Sequence, residues 1–78
     1  MKIEVGKIYR NFKGNYYIIE MIAKDSSTLK LRVIYRELYG EGELCDRSID
    51  EFYGDIKDRP DNITKQKLRF EKVTFQKC

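Results

Sequence analysis

Two runs of β-favouring residues, Ile8-Tyr9-Arg10-Asn11-Phe12 and Tyr16-Tyr17-Ile18-Ile19, flank the short polar stretch Lys13-Gly14-Asn15. Glycine and asparagine tolerate the positive φ that a tight reversal demands, so the pattern specifies a β-hairpin. Its arms are expected at residues 7–12 and 16–23, with a lysine at the tip and tyrosines on both arms. On the second arm Tyr17, Ile19, Met21 and Ala23 share one face, and Tyr16, Ile18, Glu20 and Ile22 share the other. Both faces are largely apolar, which suits a strand buried on both sides or covered by a partner chain.

The rest of the chain reads as further short strands. Thr28–Arg36 alternates cleanly, with Leu29, Leu31, Val33 and Tyr35 facing a core and Lys30, Arg32, Ile34 and Arg36 facing outward. Gly40 and Gly42 turn the chain, and Leu44–Arg47 forms a short fourth strand. Ser48 followed three residues later by Glu51 is a capping box, so one helical turn is expected there, with Ile49, Phe52 and Tyr53 plugging one end of the fold. Residues 54–64 carry the single proline and read as an exposed loop, and Lys67–Phe75 supplies a closing strand. The expected fold class is mainly β: a small SH3-like, strongly bent antiparallel barrel of about five strands with one short helical turn. Residues 1–78 are expected to form a single domain, for which a 78-residue chain leaves room and no more.

No run of about 18 apolar residues is present, so a membrane-spanning helix is excluded, and no secretory leader is recognisable. With only Cys45 and Cys78, far apart, a cytoplasmic protein with free thiols is expected rather than a disulfide. Charge is unevenly spread. Residues 1–36 hold eight basic and three acidic groups, residues 37–62 three basic and nine acidic, and residues 63–78 five basic and one acidic. Pairing of the first and last blocks in one sheet gives the fold a basic side and an acidic side.

The series Tyr9-Arg10-Asn11-Phe12-Lys13-Gly14, then Tyr17, then Val33-Ile34-Tyr35-Arg36-Glu37-Leu38-Tyr39-Gly40, Arg47 and Phe52 resembles the bacterial and phage proteins grouped as domain of unknown function family 1653. Their pattern is approximately Y-R-H-[YF]-K-G-N-x-Y, then V-Y-R-x-L-Y-G, then W-V-R-P-x-x-x-F, and the resemblance covers about residues 5–53. It implies a compact β-rich domain and carries no activity with it. Asn11 and Asp25 stand where that pattern has histidines, Cys45 where it has tryptophan, and Ser48 where it has proline.

Catalysis finds little support. The chain has no histidine, the commonest general base and metal ligand, and Cys45 has only Arg47 nearby to lower its pKa, opposed by Asp46. No enzyme, metal or cofactor is expected. Binding is better supplied, because arginine offers bidentate hydrogen bonds to phosphate or carboxylate and tyrosine offers a stacking face with a polar tip. The expected site draws on Arg10, Lys13, Arg36 and Arg47 for an anion and on Tyr9 and Tyr39 for an attached ring, with the ligand a nucleotide-like small molecule that the protein binds or sequesters. A homo-oligomer fits the two-sided apolar strand and would deepen such a pocket. One alternative is nucleic acid on Lys13, Lys30, Arg32 and Arg36, extended by Lys65, Lys67 and Arg69. Another is a protein-interaction adaptor or inhibitor that uses the acidic 37–62 face.

Overall fold

The structure, a computed structural model, describes residues 3–56 and 59–74. Five strands occur in chain order: β1 (Ile8–Asn11), β2 (Tyr16–Lys24), β3 (Leu31–Glu37), β4 (Leu44–Ser48) and β5 (Phe70–Lys72), with the helical turn α1 (Ile49–Phe52) between β4 and β5. All pair antiparallel in one sheet of order β4-β3-β2-β1-β5, so the fold is mainly β as the patterning predicts. The sheet is not closed, and β4 and β5 are its two edges. Among the described residues no helix is long and apolar enough to cross a membrane.

The sheet is nonetheless strongly curled. Phe70 on β5 and Tyr35 on β3 are separated by two intervening strands, which at about 4.8 Å per step would hold them about 14 Å apart on a flat sheet. Their ring centroids are 5.2 Å apart. The concave side therefore converges on one aromatic cluster of Tyr9, Tyr17, Tyr35, Phe52 and Phe70, joined by Ile3, Ile19 and Val33. Phe52 fills the mouth of this curl, stacked on Phe70 at 4.4 Å and edge-on to Tyr9 and Tyr35. The cap behind it forms as the sequence predicts: Ser48 Oγ accepts from the Glu51 backbone N–H and donates to Glu51 Oε1.

Three strand readings change. In β2 the register shifts between Ile19 and Met21, so the alternation reverses: Met21 moves to the outer face opposite Ile34, and Ile22 takes the inner side opposite Val33. A bulge adds one residue to a strand, and strict period-two counting cannot register it. Leu29 leaves the expected third strand, at φ +62° and 70% exposed. The Asp25 carboxylate accepts from the Ser27 and Thr28 N–H groups, and the Asp25 backbone pairs with Leu29 and Lys30. That closes a compact capped loop before β3 begins at Leu31. The closing strand is only three residues long, preceded by an isolated Asp55–Leu68 bridge. Phe75, placed in that strand by its pattern, lies outside the described residues.

The expected exposed loop is partly anchored. Ile56 is buried, and just beyond the loop Gln66 is too, its amide donating to the Arg10 and Leu68 carbonyls while its oxygen accepts from Arg10 Nε. Asn62 donates to the Gln66 carbonyl and Thr64 to that of Phe12. These bonds lay residues 59–66 against the hairpin, and this docking assembles the site described next.

Candidate functional site

The hairpin tip is set by its own polar groups. Asn11 Oδ1 accepts from the Lys13 N–H, the Gly14 N–H donates to the Asn11 carbonyl, and Gly14 takes φ +96°. A residue bearing a Cβ is strained there, which is why glycine occupies the position. Asn11 and Asp25 thus share one local role: each side chain caps a turn.

With the tip fixed, Lys13 projects beside Phe12, whose ring is buried beneath three cations. Lys13 Nζ lies 5.7 Å from the ring centroid, and the guanidinium carbons of Arg59 and Arg69 lie 5.0 and 5.4 Å from it. The π face partly offsets the mutual repulsion of these charges, at about 0.5–1 kcal/mol per contact. Arg47 completes the group from β4, with Nε donating to the Tyr35 hydroxyl. Lys13, Arg47, Arg59 and Arg69 line one open cavity of about 310 Å³ with Asn11, Phe12, Asn15, Tyr17 and Tyr39.

Among the described residues, the carboxylates near this cavity do not balance it. Asp61 faces Arg59 at 3.0 Å and Lys13 at 3.9 Å, and Glu51 faces Arg47 at 3.7 Å. Arg59 holds the Asp61 carboxyl below the usual carboxylate range. Arg69 has no ion-pair partner among the described residues, and its buried Nε makes no hydrogen bond. Burial, and then the charges of Arg47 and Arg59, push the Arg69 pKa down from its ordinary value, though an arginine so placed stays charged at neutral pH.

One wall is a hydrogen-bonded phenol pair. Tyr39 donates to Glu37 Oε2 at 3.2 Å, so Tyr17 supplies the proton in the 2.8 Å contact between the two hydroxyls. Burial, and then that bond, raise the Tyr17 pKa far above its ordinary value. Behind them Cys45 Sγ lies 3.9 Å from the same Glu37 oxygen, and burial followed by the Glu37 charge pushes the thiol up. Cys45 is therefore a protonated thiol at neutral pH.

Of the six residues expected to hold the anion and its ring, the structure brings together Lys13, Tyr39 and Arg47 and separates Tyr9, Arg10 and Arg36. Tyr9 is core, 3% exposed, with its ring against Phe52 and its hydroxyl accepting from the Glu4 N–H. Arg10 lies on the opposite face of β1, tied to Gln66. Arg36 lies on the outer face of β3, where Nε meets Glu20 at 2.7 Å and Nη1 meets the Gly42 carbonyl. Of the alternative nucleic-acid set, Arg32 pairs with Asp46 at 2.7 Å on that outer face and Lys30 is exposed in the loop before β3. The acidic block is divided, with Asp46, Glu51 and Asp61 each set against an arginine.

Sequence reasoning passed over Arg59 and placed Arg69 only at the margin of a nucleic-acid face. Neither carries a local signal, because each reaches the cavity through long-range docking: Thr64 on the Phe12 carbonyl, and the Phe12 N–H on the Arg69 carbonyl. Comparison with curated proteins and with solved structures found no match. A family model described as a protein of unknown function, DUF1653, matches residues 7–72, running from before β1 through β5 and so taking in all four cavity cations. The chain belongs to the DUF1653 family.

Proposed function

We propose that this protein is a non-catalytic binding module that holds or sequesters a small anionic, nucleotide-like molecule in the cavity between the hairpin tip, β4 and the 59–69 segment. The observation that carries the reading is the convergence of Lys13, Arg47, Arg59 and Arg69 on one cavity, with two carboxylates, Asp61 and Glu51, paired to them among the described residues. Maintaining that many cations together costs stability unless an anion joins them, and such arrangements concentrate at functional sites. A cavity of about 310 Å³ is at the small end of the range for small-molecule sites. Tyr39, 41% exposed at the rim, offers a face to an attached ring. Long polyanions suit the chain less well, because Arg32 and Arg36 on the outer face are already engaged by Asp46 and Glu20.

The test is the ultraviolet spectrum of the purified protein, followed by mass spectrometry of whatever denaturation releases. With six tyrosines and no tryptophan the protein absorbs weakly, so a partial load of nucleobase is visible. A discrete anionic molecule released from the parent protein and lost from an Arg47→Ala preparation is the expected result. A clean spectrum, together with no thermal shift from a panel of mononucleotides and dinucleotides, overturns the reading.

A further inference from the structure

We infer that the anionic group taken by this cavity is a terminal phosphate monoester in its doubly charged form, rather than a carboxylate or a phosphodiester. The inference rests on the anion-binding reading above and follows from the local charge count. Lys13, Arg47, Arg59 and Arg69 set four positive charges on the cavity, while Asp61 and Glu51 return two negative ones. Among the described residues two positive charges remain without a facing carboxylate, and a dianion balances them where a monoanion leaves one over. Glu37 stands behind Tyr39, its carboxylate accepting from that phenol and facing the Cys45 thiol, and it does not line the cavity.

Donor geometry points the same way. Planar guanidinium groups on three arginines and a lysine ammonium approach from the hairpin tip, β4 and the 59–69 segment, around a floor made by the Phe12 ring. Three terminal phosphate oxygens can accept from several sides at once, whereas a carboxylate presents two oxygens in one plane. The phenols supply no further proton: Tyr17 donates to Tyr39 and Tyr39 to Glu37. Recognition therefore falls to the cations, and it depends on ligand charge.

Calorimetric titration with adenosine 5′-monophosphate, adenosine 3′,5′-cyclic monophosphate and inorganic phosphate tests this. The two nucleotides share base and sugar and differ in whether the phosphate can carry a second charge. Affinity for the monoester is expected to rise about tenfold from pH 5 to pH 7, following the growth of the dianion with a second pKa near 6. The cyclic diester, singly charged throughout, reports any change in the protein's own charge over that range. Arg69→Met is expected to weaken monoester binding at least tenfold. Equal binding of the two nucleotides with no difference in pH dependence overturns the dianion assignment and leaves an anion site standing. Failure of all three ligands to bind at millimolar concentration removes the anion site and this inference with it.

Discussion

Arg69 offers the sharpest separation of function from stability. Its guanidinium is half-buried, without an ion-pair partner among the described residues, and its Nε is buried and unbonded. An unsatisfied buried donor costs about 1–3 kcal/mol, and partial exposure of the group selects the lower end. Against this stands the contact with Phe12 at 5.4 Å, which contributes about 0.5–1 kcal/mol. Arg69→Met keeps an apolar stem against Phe12, deletes the unbonded donor and relieves repulsion from Arg47 and Arg59. These contributions, with the relief of repulsion, leave the variant at least as stable as the parent, by up to about 1 kcal/mol, and the urea midpoint should hold or rise by up to about 1 M. The assay is urea unfolding followed by circular dichroism on ligand-free protein. A fall in stability of more than about 1 kcal/mol would show that Arg69 is held for structure, because a cation kept only for a ligand has no stabilising role to lose.

Other perturbations probe the scaffold. Phe52→Ala removes a fully buried ring in contact with Tyr9, Tyr35, Tyr53 and Phe70, at a cost of about 3–5 kcal/mol. Set against a total of about 4–12 kcal/mol for a chain this size, that leaves a marginal fold, and an unchanged urea midpoint would remove Phe52 from its place as the plug. Tyr17 governs alkaline behaviour. Because burial raises its pKa in the folded state, the stability it contributes is complete below the unfolded value near pH 10 and declines as pH rises beyond it. Tyrosinate absorbance should show a fraction of the six tyrosines ionising only above the usual range, and a single step near pH 10 in the folded protein would contradict the buried Tyr17–Tyr39 pair.

Some of this architecture is local enough to be read without coordinates. The hairpin follows from Lys13-Gly14-Asn15 between two β-favouring runs, the inner face of β3 from the alternation of Val33 and Tyr35, and the helical cap from Ser48 and Glu51. Each depends on backbone preferences or on side chains within a few residues, and those forces act before the chain has closed on itself. The bulge after Ile19 was not legible, because its advantage is realised only when β3 pairs alongside and sets Ile22 against Val33. Arg10 and Arg36 looked as available as Arg47, since nothing in the alternation reveals that Gln66 and Glu20 engage them.

The candidate site divides along the same line. Composition and spacing fix a basic hairpin tip, a β4 arginine and a tyrosine-rich, histidine-free chain. Tertiary structure alone decides that Tyr9 turns inward, that the sheet curls until β5 meets β3, and that the docked 59–66 segment carries Arg59 to Lys13 while β5 pairing brings Arg69 over Phe12. Curl is a property of a whole sheet and docking of a whole chain. The convergence of four cations from distant segments is therefore written in no local pattern, and it arises only when burial of the aromatic cluster draws those segments together.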